Sequence, residues 1–307
     1  MKELRFFAWS VVLAVLIPCI VSAAHDRDKI EKTLVLLTKA MTADENDGRL
    51  SDFLKHYEND AISMPEYQVT LTGRREIETY YGEMFKRHQI KRVERTPMEF
   101  IHANNTVVVI GTFYREYNLF AEDSVRILEG KYCHVWSVRP DGRNRIRGET
   151  FGYFKPVDHP ETLILSAAQQ QIDESEVRIT VPLELKAYNA LMEKSVITRD
   201  GELRAKFYTD DAIYYPFADT AVSGIDQLNR YLISYSNRRQ VTLDNVSCYT
   251  YAFEYLGEYV LEYAMFKVKW NRDGVAGKTE GKGIRIWRRQ SDHSLKLFRQ
   301  IGTHNYL

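Results

Sequence analysis

The chain has 307 residues, enough for two domains of ordinary size, each burying its own core. Lys plus Arg and Asp plus Glu both number 42, so the formal net charge is zero and the basic footprint of a nucleic-acid binder is absent. With 44% hydrophobic and 27% charged residues the composition is globular, and the 20 Tyr and 14 Phe favour strands, where flat rings pack on pleated surfaces.

Residues 1–24 read as a leader. Lys2 and Arg5 precede an apolar run from Phe6 to Val21, and Val21-Ser22-Ala23 offers small residues for cleavage. The run is nearly long enough to span a bilayer, but Pro18 and the small residues after it favour cleavage over an anchor. Cys19 follows Pro18, a poor fit to the small residue a lipobox places there, so lipidation is not expected. The mature chain is expected to be secreted or periplasmic and free of the membrane. Cys133 and Cys248 remain after cleavage, at non-equivalent places, and are expected as two buried thiols rather than an inter-domain staple. Neither has a partner at ligand spacing, so neither a metal nor a cofactor is expected.

The body of the chain repeats. Tyr57-Glu-Asn-Asp-Ala-Ile-Ser-Met-Pro65, then Gly73 and Tyr80, returns as Tyr208-Thr-Asp-Asp-Ala-Ile-Tyr-Tyr-Pro216, then Gly224 and Tyr231. Each landmark moves by 151 (208 less 57). The same offset pairs Glu129-Gly130-Lys131 with Glu280-Gly281-Lys282, Trp136 with Trp287, and Asp141 with Asp292. A period held without a gap predicts two copies of one domain, at 25–154 and 181–307, joined by a linker at 155–180.

In chain order, Asp28 starts a helix with Ile30, Leu34, Leu37 and Met41 on one face, ended by Asn46-Asp47-Gly48. A short helix is predicted over Leu50–Tyr57, then a turn at Asn59–Ile62 and a strand stopped by Pro65. Gly73 opens a helix carrying Ile77, Tyr80, Tyr81 and Met84. The basic run Lys86–Arg92 reads as a solvated helix end and loop. After Pro97 the period falls to two, predicting strands Met98–His102, Thr106–Tyr117, Ser124–Val138 and Arg145–Phe154. Asn104-Asn105 and Asp141-Gly142 are the hairpin turns, the second a type I′ candidate. Lys155–Val177 reads as a connection with a short helix near Ala167–Gln171. In the second copy Pro182 begins a helix with Leu185, Tyr188, Met192 and Val196 on its apolar face, and another follows Gly224. Strands are predicted at Val241–Ala252, Tyr255–Trp270, Glu280–Arg289 and Leu295–Gly302, with Asn271–Gly277 the longest hairpin connection. Helices before a long antiparallel meander define an α+β class.

A long first helix, a Tyr-x-x-Asp-Ala-Ile segment, a Gly-opened helix reaching Tyr80 or Tyr231, and a Gly-Lys-x-x-x-x-Trp strand resemble the NTF2-like superfamily in its SnoaL-like or DUF4440-like branch. The resemblance covers about 28–154 and 181–306. It implies two tandem cones, each a strongly curved antiparallel sheet wrapped around N-terminal helices with a pocket at its open end. It also implies pairing of the two sheets as an intramolecular pseudo-dimer, with further homo-oligomers open. Family chemistry spans ketosteroid isomerases, polyketide cyclases, epoxide hydrolases and members that only bind or assemble. The isomerases carry a carboxylate base just before the Pro of this motif, where this chain has Met64 and Tyr215. Methionine has no proton site and an ordinary tyrosine titrates near 10, so neither acts as a base at neutral pH.

The remaining candidates are few. Asp60 and Asp211 occur in both repeats and are expected to satisfy backbone donors in a turn. Glu149, paired by the offset with Gln300 on the last strand, is the best candidate for a relocated base. Tyr80, Trp136, Glu149, Tyr215, Tyr231, Trp287 and Gln300 are the expected lining of the cone pockets, each aromatic competing with a plain core role. His102, His134 and His304 read as satisfied or exposed imidazoles. The sequence therefore leads to an exported, non-catalytic tandem protein that binds a small apolar ligand or a protein partner. The alternatives are an isomerase, cyclase or hydrolase with a relocated acid/base pair, and a structural module whose sheets meet another protein.

Overall fold

The computed structural model describes residues 26–120, 124–164, 174–237 and 241–305. The leader at 1–24 with Cys19, and the short helix near Ala167–Gln171, lie outside the described residues. Repeat one opens with helix α1 (26–46), the short α2 (Leu50–Phe53) and a 3-10 turn (Leu54–His56). Strands β1 (Tyr57–Pro65) and β2 (Leu71–Thr72), helix α3 (Arg74–Arg87), and strands β3 (His88–Ala103), β4 (Thr106–Leu119), β5 (Arg126–Ser137) and β6 (Arg145–Tyr153) follow. Repeat two has α4 (Leu183–Ile197), α5 (Gly201–Ala205), β7 (Tyr208–Tyr215), β8 (Val222–Ser223), α6 (Ile225–Asn237), β9 (Thr242–Leu256), β10 (Tyr259–Arg272), β11 (Val275–Arg289) and β12 (Leu295–His304).

Each repeat is one six-stranded mixed sheet, ordered β2-β1-β6-β5-β4-β3 and β8-β7-β12-β11-β10-β9. The first strand of each copy runs parallel to the last; the other neighbours are antiparallel. Two tandem α+β domains are thus present. The repeated glycine has a repeated cause. Gly73 and Gly224 precede α3 and α6 at φ +82° and +79°, a region costly for a side chain, and their N–H groups donate to Ala61 O and Ala212 O at 2.8 Å. The turn that fixes each helix to its strand therefore needs glycine twice.

Several expectations are corrected. The segment Asn59–Ile62 is part of β1, with an irregularity in its pairing to β6, rather than a turn. The second helix ends at His56 because Tyr57 already enters the sheet. Strand β3 starts at His88, ten residues before Met98, so most of the basic run is strand: paired Leu119, Asn118 and Tyr117 extend the ladder that alternation alone did not reveal. Residues Asn271–Gly277 are no long connection. Asp273-Gly274, at φ +53° and +83°, makes a tight turn and β11 starts at Val275, whereas Asp141-Gly142 sits in a wider loop between Ser137 and Arg145. The period is also interrupted. Trp136 pairs with Val107 and Trp287 with Val260, so β5 maps to β11 by 151 (287 less 136) but β4 maps to β10 by 153 (260 less 107). The two extra residues are taken up before β9 and given back in the shorter β10–β11 turn.

Buried side chains form three clusters. One lies inside the first cone, with Leu34, Met41, Tyr57, Tyr80, Tyr81, Val109 and Trp136, and one inside the second, with Leu185, Met192, Tyr208, Leu228 and Trp287. The third mixes the outer faces of both sheets, Met64, Val108, Ile110, Cys133 and Val135 meeting Tyr215, Leu261, Tyr263, Ile284 and Ile301. Alternation makes this possible, since successive residues of one strand point to opposite faces and both faces here are covered. Polar clasps edge the seam: Arg299 grips Glu99 through Nε and Nη2, Arg147 pairs with Glu254 at 2.5 Å, and the Thr72 and Tyr251 hydroxyls meet at 2.6 Å. Cys133 and Cys248 are free, buried and in different clusters. Among the described residues no helix is long and apolar enough to cross a membrane.

Candidate functional site: the two cone interiors

Glu149 projects from β6 into the first cone and is 1% exposed. The Tyr57 hydroxyl donates to its Oε2 at 2.8 Å, while those of Ser63 and Tyr81 donate to Oε1 at 2.5 and 3.2 Å. Burial pushes its carboxyl above the ordinary value, against the three hydroxyls and Arg95, which pull it down. His134, facing it from the adjacent β5 with Nε2 3.7 Å away, is driven by burial, and then by Arg95 and His56, well below its usual range and is neutral. Its expected satisfied or exposed state is corrected: the ring is buried and Nδ1 lacks a hydrogen-bond partner among the described residues. His102 does have one, Glu31 at 2.8 Å, and His304 stacks on Phe217.

Along the same sheet, Glu45 of α1 receives hydrogen bonds from Arg95 and Arg115, all three side chains being buried. Burial alone would raise Glu45, but Arg115 and Arg95 outweigh it and hold the carboxylate ionised, below the ordinary value. Two guanidinium groups against one carboxylate leave a net positive charge inside this cone.

The second cone is built differently on the same positions. Gln300 replaces Glu149 and accepts from the Tyr208 hydroxyl at 2.6 Å. Arg285, the counterpart of His134, reaches Asn189 Oδ1 at 2.8 Å and Glu262 at 3.5 Å. Glu262 further accepts from Trp287 Nε1 at 2.7 Å and from Thr250 at 2.5 Å, and Asn189 donates to Thr250 at 3.0 Å. This five-residue knot closes on itself.

The other candidates are dispersed. Trp136 and Tyr80 lie in the first cone, and Trp287 and the half-buried Tyr231 in the second, where the Tyr231 hydroxyl donates to Asp219 at 3.3 Å. Tyr215 is corrected from pocket lining to seam: it and Met64, the residues just before Pro216 and Pro65, both belong to the cluster between the sheets and face away from either cone. Asp60 and Asp211 are exposed on β1 and β7, and Asp211 takes a two-pronged ion pair from Arg288 rather than capping a turn. Sequence reasoning missed Tyr57, Ser63, Tyr81, Glu45, Arg95 and Arg115 as neighbours of one interior. Only the shared Tyr57/Tyr208 landmark hinted at it. Surface hollows of about 470 and 370 Å³ lie around Arg199 and Asn237, away from both interiors. Among the described residues no three His, Cys, Asp or Glu side chains gather as metal ligands.

No family model matches the chain, and no curated protein matches it. Solved structures do. A ketosteroid isomerase-like protein from Erwinia carotovora atroseptica is 16% identical, covering 44% of this chain and 100% of its own, at a TM-score of 0.35. An NTF2-like protein from Cytophaga hutchinsonii is 16% identical over 42% of this chain and 98% of its own, at 0.33. A protein of unknown function from Mycobacterium tuberculosis is 16% identical over 44% and 79%, at 0.38. Each spans about one repeat's length of this chain.

Proposed function

We propose that the chain is an exported tandem NTF2-like protein whose first cone binds a small, largely apolar molecule with a hydrogen-bonding head, the second cone serving as scaffold. The supporting observation is a difference in polar satisfaction. Among the described residues Tyr132 Oη, His134 Nδ1 and Trp136 Nε1, at alternate positions of β5, are buried in the first cone without partners, while Trp287 and Arg285 on β11 are satisfied. A buried polar group left unpaired costs about 1–3 kcal/mol, so three together favour an occupant that pairs with them. Repeat two then holds repeat one across the paired outer faces, as a pseudo-dimer within one chain.

Binding is favoured over catalysis because both Glu149 oxygens are already engaged by hydroxyls, leaving the carboxyl held rather than aimed at a substrate proton. These groups are covered, so entry requires α1 to move from the sheet, and slow association is expected. Titrating the protein with steroid, polyketide-like and epoxide compounds while following tryptophan fluorescence tests the reading. Saturable quenching lost in Trp136→Phe and kept in Trp287→Phe is the expected result; no compound binding, or equal loss in both variants, refutes it. One observation favours the second reading, an acid/base enzyme: a carboxyl pushed towards neutrality by burial faces Tyr57 and Tyr81. Turnover of any of these compounds that disappears in Glu149→Gln would establish it.

A further inference from the structure

The knot in repeat two describes what repeat one lacks. Strand pairing maps Glu262 onto Val109, since Glu262 sits opposite Arg285 and Val109 opposite His134. By the same register Thr250 maps onto Pro97, because Thr250 faces Ala264 and Pro97 faces Gly111. Asn189 maps onto Thr38, one turn before Met192 and Met41 respectively. The five positions Glu262, Arg285, Trp287, Thr250 and Asn189 therefore become Val109, His134, Trp136, Pro97 and Thr38.

One carboxylate organises the first set. Trp287 Nε1, Thr250 Oγ1 and Arg285 all donate to Glu262, and Asn189 braces the arginine and the threonine. In the second set the carboxylate has become an isopropyl group, and the three polar groups that remain, Trp136 Nε1, His134 Nδ1 and Thr38 Oγ1, are all buried without a partner among the described residues. Trp287 and Arg285 converge on Glu262 while Asn189 braces Arg285, so by position Trp136 and His134 flank the place of that carboxylate and Thr38 lies beside it. Loss of one shared acceptor accounts for Trp136 and His134 together, and loss of the arginine and threonine that Asn189 braces accounts for Thr38.

We propose that the first cone binds its ligand through a carboxylate group, seated where the Glu262 carboxylate sits in the second. This rests on the ligand-binding reading above and specifies the head group. Trp136 and Thr38 donate directly, and neutral His134 donates from Nδ1 in the tautomer that leaves Nε2 towards Glu149. The surrounding charge suits an anion: Arg95 and Arg115 exceed Glu45 by one positive charge, and burial pushes the Glu149 carboxyl above its ordinary value. The second cone is closed to such a ligand by its own glutamate, which makes one site per chain.

The test uses the full chain and two matched pairs, octanoate with octanamide and phenylacetate with phenylacetamide, titrated calorimetrically with one-site fits. Expected are one site per chain and binding of each acid at least tenfold tighter than of its amide. Val109→Glu, which installs the missing carboxylate, should weaken the acids at least tenfold. Trp136→Phe should remove most of the acid-over-amide preference, and it carries the test alone if Val109→Glu does not fold. Equal affinity for acid and amide, acid affinity unchanged in either folded variant, or two sites per chain would each overturn the inference. Neutral compounds that bind in a Trp136-dependent way without any gain from a carboxylate would sink this inference and leave the broader reading standing. Failure of every compound, acidic or neutral, would sink both.

Discussion

Glu149 and Lys282 are buried ionisable side chains whose environments act on stability in opposite directions with pH. For Glu149 the folded state favours the protonated form, so its contribution is complete below the ordinary glutamate value near 4.3 and is lost as pH rises through the folded value. Gln300 performs the corresponding role in repeat two as a neutral amide. Glu149→Gln is therefore expected to change stability by less than about 1.5 kcal/mol at pH 4 and to flatten the loss above it, as read from urea unfolding across pH. Lys282 donates to Gln68 O and Asn305 Oδ1 at the seam, and burial, opposed by Glu66, brings its ammonium down to about 7. An unfolded lysine titrates near 10.4, so above about 7 the unfolded chain binds more protons and stability rises with pH. Lys131, its counterpart at the 151 offset, is lowered by burial against Glu66 and Asp219. Glu66, raised by burial, has the opposite sign and is strongest below its ordinary value. Between pH 7 and 8.5 the native chain should gain stability relative to Lys131→Met/Lys282→Met; parallel curves for the two proteins would show that these ammonium groups do not govern the seam.

Elements are held to one another by polar contacts as much as by apolar faces. Helix α1 lies over the first sheet through Leu34 and Met41, but its last turn is fixed by Glu45 between Arg95 on β3 and Arg115 on β4. Removing the carboxylate leaves two buried guanidinium groups without their anion, so Glu45→Ala is expected to cost about 3–5 kcal/mol in denaturant unfolding. Amide exchange should then accelerate in residues 38–46 before it does in β5. Helicity of α1 was legible in its 3.6-residue pattern. Glu45 was not, because an acidic residue near a helix end reads as solvent-facing until the strands that bury it are placed. The early start of β3 was hidden for a related reason: Lys91, Arg92 and Glu94 point outward from an edge strand, where charge is compatible with pairing.

Across the whole molecule, the two sheets meet through their outer faces at places where bulk is missing. A Cβ at Gly148 of β6 would fall on the Tyr263 hydroxyl of β10, in the other repeat. Gly148→Ala should therefore destabilise the chain by about 1–3 kcal/mol. Tyr263→Phe should recover part of that loss in a double-mutant cycle, whereas strict additivity would mean that the ring yields freely. The two-domain duplication, the helix-opening glycines and the α+β order were all determined by the sequence itself, because local periodicity and turn chemistry act over a few residues and recur at a fixed distance. The fate of Met64 and Tyr215, the closed knot around Glu262 and its open counterpart around Trp136 were decided only by tertiary structure. They depend on which face of a strand a residue occupies and on a two-residue slip between β4 and β10, and burial energies there are set by partners that stand 12 to 96 residues apart in the chain and meet only once the sheet is formed.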